Sequence, residues 1–213
     1  MNVLIGLLIL ASFGLAVWAY PQLPEVIAVH WNAAGQVDGY GGKFWGVFLL
    51  PTLLLGLWAL FAILPQIDPL KANIAKFRPA YNLTVLMILL VLAVVAKLAL
   101  LWNLGYRFPF TLIMLGLLNV LSIGLGGVLP QMKRNFFMGI RTPWTLASDA
   151  VWDQTHRVGG RLFVAAGVVG LLSLVAGTPV AVWVTLLTHL SAAVSVIGYS
   201  YIVYRRMGSA KAA

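Results

Sequence analysis

The chain has 213 residues, 62% hydrophobic and 9% charged, against about 45–50% and about 25% in ordinary soluble domains. That composition excludes a water-soluble globular domain, and the absence of cysteine excludes disulfides and thiolate-held metals. The formal net charge of +9, from 14 Lys+Arg against 5 Asp+Glu, reads in so apolar a chain as a record of membrane orientation rather than a nucleic-acid footprint.

Six apolar runs read as membrane-spanning helices: residues 3–20, 44–64, 80–102, 109–129, 162–176 and 179–204. They are long and unbroken, unlike the weak alternating pattern of a membrane β-barrel. The first run reads as an uncleaved helix, because no basic segment precedes it. The outer loop, residues 21–43, begins with an extended stretch, Val26-Ile27-Ala28-Val29-His30-Trp31, which favours strand. Gly35, Asp38-Gly39 and Gly41-Gly42 then supply turn signals. The expectation is a compact loop with a short hairpin or extended segment. Trp31, Tyr40, Phe44 and Trp45 are expected near the headgroups. His30 reads in two ways: as a pH-sensing, ligand or metal contact with Asp38, or as a loop histidine bonded to backbone.

The second and fourth runs exit alike, through Leu64-Pro65-Gln66-Ile67 and Leu129-Pro130-Gln131-Met132, where proline suits a sharp helix exit. Lys97 lies near the outer end of the third run, at a depth from which it can snorkel. Asn119 lies inside the fourth and His189 near the middle of the sixth. Each reads either as a satisfied interhelical partner or as the lining of a polar path. The sixth run is rich in small residues, which suits close helix approach or a homo-oligomer seam.

The inner loop, residues 130–161, interrupts this pattern with arginines, aspartates, a histidine and two tryptophans. Arg141-Thr142-Pro143-Trp144 reads as extended or turn. Ser148 is a good N-cap for a short amphipathic helix over 149–158, stopped by Gly159-Gly160. Helical spacing puts Asp149, Trp152, Asp153 and His156 on one face, and Asp153 four residues before Arg157. That face reads as a structural polar network or, less directly, as a metal or acid–base site. No nucleophile triad, phosphate loop or zincin helix accompanies it, so no catalytic residue, metal or cofactor is expected. Trp144 and Trp152 are expected as interface anchors.

Basic residues are unevenly shared. Lys71, Lys76, Arg78, Lys133, Arg134, Arg141, Arg157, Arg161, Arg205, Arg206 and Lys211 fall on one side of the spans, and Lys43 and Arg107 on the other. The basic side is expected to be cytoplasmic. The fold expected is therefore an all-α integral membrane protein: one membrane domain over 1–213, a six-transmembrane-helix bundle, both termini cytoplasmic, an ordered outer loop and a short amphipathic inner helix.

The outer Leu23-Pro24, His30-Trp31-Asn32, Gly35, Asp38-Gly39-Tyr40 and Lys43 form one motif. The inner Asn135, Gly139-Ile140-Arg141-Thr142-Pro143-Trp144-Thr145-Leu146, Ser148, Val151-Trp152, Thr155-His156-Arg157 and Gly159-Gly160 form a second. Together they resemble the SdpI family, small six-helix membrane proteins of bacteria, over nearly the whole chain. The chain departs from the family pattern at Ala28 and Arg134, where proline is frequent, and at Ala150, where an acidic residue is.

The resemblance implies immunity to a secreted antibacterial peptide toxin, together with signalling by holding a transcriptional repressor at the membrane. It implies a multi-pass protein of the bacterial inner membrane, in contact with lipid, without direct nucleic-acid binding. On this reading His30, Trp31, Asn32, Asp38, Tyr40 and Lys43 face the toxin. Arg141, Thr142, Trp144, Asp149, Trp152, Asp153, His156 and Arg157 form an inner platform for a partner. The alternative from the residues alone is a small-solute transporter or channel with Lys97, Asn119 and His189 along its path.

Overall fold

The computed structural model describes residues 2–209, and side chains through Met207. Lys211, counted above with the inner basic residues, lies outside the described residues. In chain order the elements are helix α1 (Asn2–Ala19), strands β1 (Val26–Trp31) and β2 (Val37–Gly42), and helices α2 (Lys43–Ile67), α3 (Lys71–Lys76) and α4 (Arg78–Asn103). Helices α5 (Phe110–Val128), α6 (Pro143–Ala147), α7 (Asp149–Ser173) and α8 (Thr178–Ser209) follow. Among the described residues six helical segments, carried by α1, α2, α4, α5, α7 and α8, are long and apolar enough to cross a membrane. Their outward faces carry bare apolar side chains: Leu10 is 69% exposed, Leu172 70% and Val175 93%. In water such a belt is an aggregation hazard; against lipid tails it is the expected surface.

The helices form two groups. α1, α2 and α4 pack together, α7 lies against α5 and α8, and α4 meets α5 to join the groups. One cluster of buried side chains, including Ile5, Leu54, Tyr81, Leu89, Met132 and Trp152, fills one end and the centre. A smaller one, Ala16, Ala19, Leu23, Ile27, Val47 and Leu100, lies under the hairpin at the other end. Asn2, Gln66 and Arg78 line one crevice, and Thr142 touches Ser200, so both described chain ends lie at the end that carries the 130–148 segment.

Three expectations need correction. First, no separate amphipathic inner helix ends at Gly159-Gly160: α7 runs unbroken from Asp149 to Ser173. Neither glycine has positive φ, so neither caps a helix. They are small because helices press on them. A Cβ on Gly160 would stand 2.5 Å from the Gly126 carbonyl oxygen, and one on Gly159 would strike Ile140 Cδ1. The fifth membrane-crossing segment is therefore 28 residues, Asp149–Ala176, about 42 Å long at 1.5 Å per residue. That exceeds a hydrocarbon core of about 30 Å, so its first turns stand at the platform.

Second, Asp38-Gly39 is not the turn. Both lie in β2, with Gly39 opposite His30. The reversal falls at 32–36, where Asn32 Oδ1 accepts from the Ala34 and Gln36 amides (2.9 and 3.0 Å) and Gly35 takes φ 82°. Gly39 is needed for cross-strand clearance, since a Cβ there would lie 2.7 Å from that of His30. Third, Pro65 does not end its helix: α2 continues to Ile67, and Asp68 follows as its C-cap.

Candidate functional site

At the hairpin end, β1 and β2 pair antiparallel over the helix ends. The outer edge of β1 is closed by a side chain the sequence did not single out. Asn103, the last residue of α4, accepts from the Ala28 amide (2.8 Å) and donates to the Ala28 carbonyl (2.9 Å). An asparagine amide presents one acceptor and one donor edge, so it replaces a neighbouring strand at that residue. Thr111 Oγ1 donates to the Asn32 carbonyl (3.1 Å), pinning the turn to α5. We expect Asn103→Leu to leave the helices assembled but free the hairpin. Two backbone groups lose their partner, each costing about 1–3 kcal/mol if kept dry. Limited proteolysis should then cut within residues 24–42 at least tenfold faster, roughly what 1.4 kcal/mol of added opening gives.

The outer residues named from sequence divide into exposed and structural. Tyr40 is 67% exposed. The His30 imidazole and the Asp38 carboxylate, both exposed, are hydrogen-bonded across the strands, a surface contact of the kind that contributes little to stability in water. Trp31 stacks on Phe110 (centroids 3.7 Å apart) and meets Trp102 edge-on, so it is clamped to the bundle rather than presented. Lys43 is buried, its ammonium 3.6 Å from Glu25 and 4.6 Å over the Tyr20 ring. It ties the start of α2 to the segment that leads into β1 and does not face outward.

The opposite end is a knot of hydrogen bonds. Asn135, almost wholly buried, donates to the Lys133 and Met138 carbonyls (2.9 and 3.0 Å) and accepts from the Phe137 and Met138 amides (2.9 and 2.6 Å). Asp68, also buried, accepts from the amides of Leu70 (2.6 Å) and Phe136 (2.9 Å) and so joins the two loops at this end. Gly139 takes φ 102°, and a Cβ on it would strike His156 Nε2. That nitrogen accepts from the Ile140 amide at 2.9 Å. His156 Nδ1 must then carry the ring proton, which it gives to the Trp152 carbonyl at 2.9 Å. Trp152 stacks on the imidazole, centroids 4.0 Å apart, and its indole N–H donates to the Met132 carbonyl at 2.8 Å.

Thr142 then caps α6 in a reciprocal capping box with Thr145, and meets Ser200 of α8 at 3.1 Å. Thr145 Oγ1 also donates to the Ile140 carbonyl at 2.9 Å. Trp144 packs half-buried on Tyr201 of α8, centroids 5.1 Å apart. Ser148 caps α7, as its place in the sequence suggested.

Several inner residues therefore stand differently from expectation. Trp152 is fully buried, not an interface anchor, because its helix face turns into the knot. Asp153 pairs with Lys133 (3.3 Å) rather than Arg157, and Asp149 with Arg134 (2.7 Å). Arg157 is exposed, because α7 turns it away from the segment that supplies those cations. Asp149, Trp152, Asp153 and His156 do share one face, but both carboxylates have cations and both imidazole nitrogens have backbone partners. No group of three His, Asp or Glu able to hold a metal occurs among the described residues. Lys71, Lys76, Arg78, Arg141, Arg157 and Arg161 are exposed at this end. With Asp68 buried and Asp149 and Asp153 paired, its surface is strongly positive.

Within the helices, Asn119 is fully buried. It donates to Leu115 O (2.8 Å) and Thr185 Oγ1 (3.1 Å), joining α5 to α8. His189 Nδ1 lies 2.8 Å from the Thr185 carbonyl oxygen. Lys97 is exposed on α4, and the cavity that His189 lines includes neither Lys97 nor Asn119.

Residues 131–200, which contain the inner knot, α6, α7 and most of α8, match the model of the SdpI/YfhL protein family. Over that stretch the chain is similar to the SdpI/YfhL family. Residues 7–55, from α1 through the hairpin into α2, match a domain of unknown function, DUF1648. The chain is similar to "Immunity protein SdpI" of Bacillus subtilis (strain 168), with 26% identity over 212 residues, 99% of each chain. No solved structure matches. The SdpI/YfhL match begins where the hydrogen-bonded knot begins. Seen in the structure, much of the Gly-Ile-Arg-Thr-Pro-Trp-Thr-Leu run is a folding motif: glycine clearance, an amide held by histidine, and a threonine cap.

Proposed function

We propose that this protein is a membrane immunity protein, protecting its cell from a secreted antibacterial peptide through the hairpin end. The observation that carries this is the end-to-end similarity to an immunity protein, which spans both the hairpin and the knot. On this reading the knot end faces the bacterial cytoplasm, since the exposed cations gather there. The hairpin end faces outward and offers Tyr40, His30 and Asp38 on strands fixed to the helix ends. The protein performs no chemistry and needs no cofactor. Its positive inner surface is the docking face for a cytoplasmic partner, in the resemblance a transcriptional repressor. Arg141 fits that role: it is exposed, yet aimed by a bond from its guanidinium to the Phe136 carbonyl (2.6 Å).

The test is survival. The chain is expressed in a toxin-sensitive bacterium without its own immunity gene, and a secreted killing peptide is titrated. Wild type is expected to raise the lethal dose. Tyr40→Ala with His30→Ala, matched for membrane level, is expected to lower protection about tenfold, the loss of roughly 1.4 kcal/mol of recognition. Arg141→Ala is expected to keep protection and to lose capture of a repressor at the membrane. Protection lost with Arg141→Ala but kept by the outer double variant reverses the assignment of the two ends. No protection by well-expressed wild type sinks the immunity reading.

A further inference from the structure

A cavity of about 370 Å³ lies between α5, α7 and α8 and reaches the loop at Gly139-Ile140. Its walls are almost wholly apolar, with Leu121 and Leu125 on one side, Phe163 on another and Ile140 at the inner end. That size and character belong to small-ligand pockets, which pair apolar walls with a few placed polar groups. Two polar side chains line it, Ser122 and His189. Ser122 already donates to the Phe163 carbonyl at 3.0 Å.

His189 is different. Its Nε2 is buried and has no hydrogen-bond partner. Nδ1 faces a carbonyl oxygen, that of Thr185, at 2.8 Å. A carbonyl only accepts, so of the two neutral tautomers only the one protonated on Nδ1 makes this bond. Nε2 is then a bare lone pair in a hydrocarbon setting. A buried polar atom without a partner is costly and calls for an explanation. The knot supplies a direct contrast: His156 has the same Nδ1-to-carbonyl bond on its own helix, and its Nε2 is satisfied by the Ile140 amide.

We propose that this cavity binds a membrane lipid bearing a free hydroxyl, such as a diacylglycerol-type alcohol. Its O–H donates to His189 Nε2, and its chain lies along Leu121, Leu125 and Phe163. A hydroxyl fits because the site needs a donor, carries no counter-charge and offers an apolar bed. The occupant comes from the bilayer, since Leu118 at the cavity wall is 47% exposed on the lipid-facing belt. Its inner end meets Ile140, whose amide His156 holds, so occupancy braces the knot from within the membrane.

The experiment uses full-length protein in phosphatidylcholine nanodiscs, which contain no hydroxyl lipid. A diazirine-bearing long-chain alcohol is photocrosslinked, and the adducts are mapped by peptide mass spectrometry. Labelling is expected on residues 118–125 and at Phe163. Unlabelled 1-dodecanol is expected to compete about three- to tenfold better than methyl undecyl ether of equal length, the value of one net hydrogen bond. His189→Leu should abolish that preference, and Leu121→Trp, which fills the space, should abolish labelling without lowering the thermal midpoint. Equal competition by alcohol and ether, unchanged preference in His189→Leu, or adducts confined to other helices each overturns the proposal. Should His189→Leu fail to fold, the alcohol-to-ether comparison on wild type decides alone.

Discussion

Trp152→Ala is expected to dissolve the inner knot and to cost about 3–5 kcal/mol, the range for emptying a buried aromatic site. Three losses coincide. The space left is enclosed, because Trp152 is fully buried and belongs to the larger core cluster, with Met132 and Met138. The Met132 carbonyl loses the indole donor. His156 loses the ring that covers one face and so its fixed position under Ile140. Denaturant unfolding of the purified protein in micelles measures the loss, and proteolysis across 133–147 locates it. Trp144→Ala is the comparison. Trp144 is only half-buried, against Tyr201, and its removal should cost less than half as much. Equal costs for the two would mean that Trp152 is an interface anchor after all.

Gly160→Val is expected to be worse than an ordinary overpacking, which costs about 1–3 kcal/mol. The obstruction is backbone. A Cβ on Gly160 meets the Gly126 carbonyl oxygen at 2.5 Å, and one on Gly126 meets the Gly160 carbonyl at 2.7 Å. No rotamer change relieves that, so α5 and α7 must separate along their closest stretch. In lipid, helix association depends on this close approach, because tails solvate apolar side chains as well as another helix does. The neighbouring Gly127 has nothing within 4 Å of a Cβ, and Gly127→Val should be nearly neutral. The readout is the yield of monodisperse protein and its thermal midpoint. Equal behaviour of the two variants would refute the packing account.

Sequence and structure part company at particular residues. The two ends of α7 show why. Ser148 as its N-cap was readable, since a cap is a property of three or four consecutive residues. Gly159-Gly160 reads as a stop in the sequence but is not one, since glycine permits a turn and a close approach equally. Which one holds depends on whether Gly126 lies opposite. Asp153 has Arg157 within helical reach, four residues on; Lys133, twenty residues away, holds it instead, because the segment after α5 folds back along α7. Asn103 and Asp68 carry no local signal of their roles. Polar residues are common at helix ends and in loops, and their partners are backbone groups up to 75 positions distant.

The sequence by itself determined the six membrane-crossing segments, the two motif-bearing ends and the one-sided gathering of positive charge. These are one-dimensional properties: a run of apolar residues commits its own backbone to a helix in lipid, whatever its neighbours are. Only the tertiary structure decided that the fifth segment starts at Asp149, that Lys43 and Trp152 are buried, that His156 is locked and that His189 is left with one open nitrogen. Each of those is fixed by what stands on the facing helix or loop. In hydrocarbon, a polar atom's character depends on whether a partner reaches it.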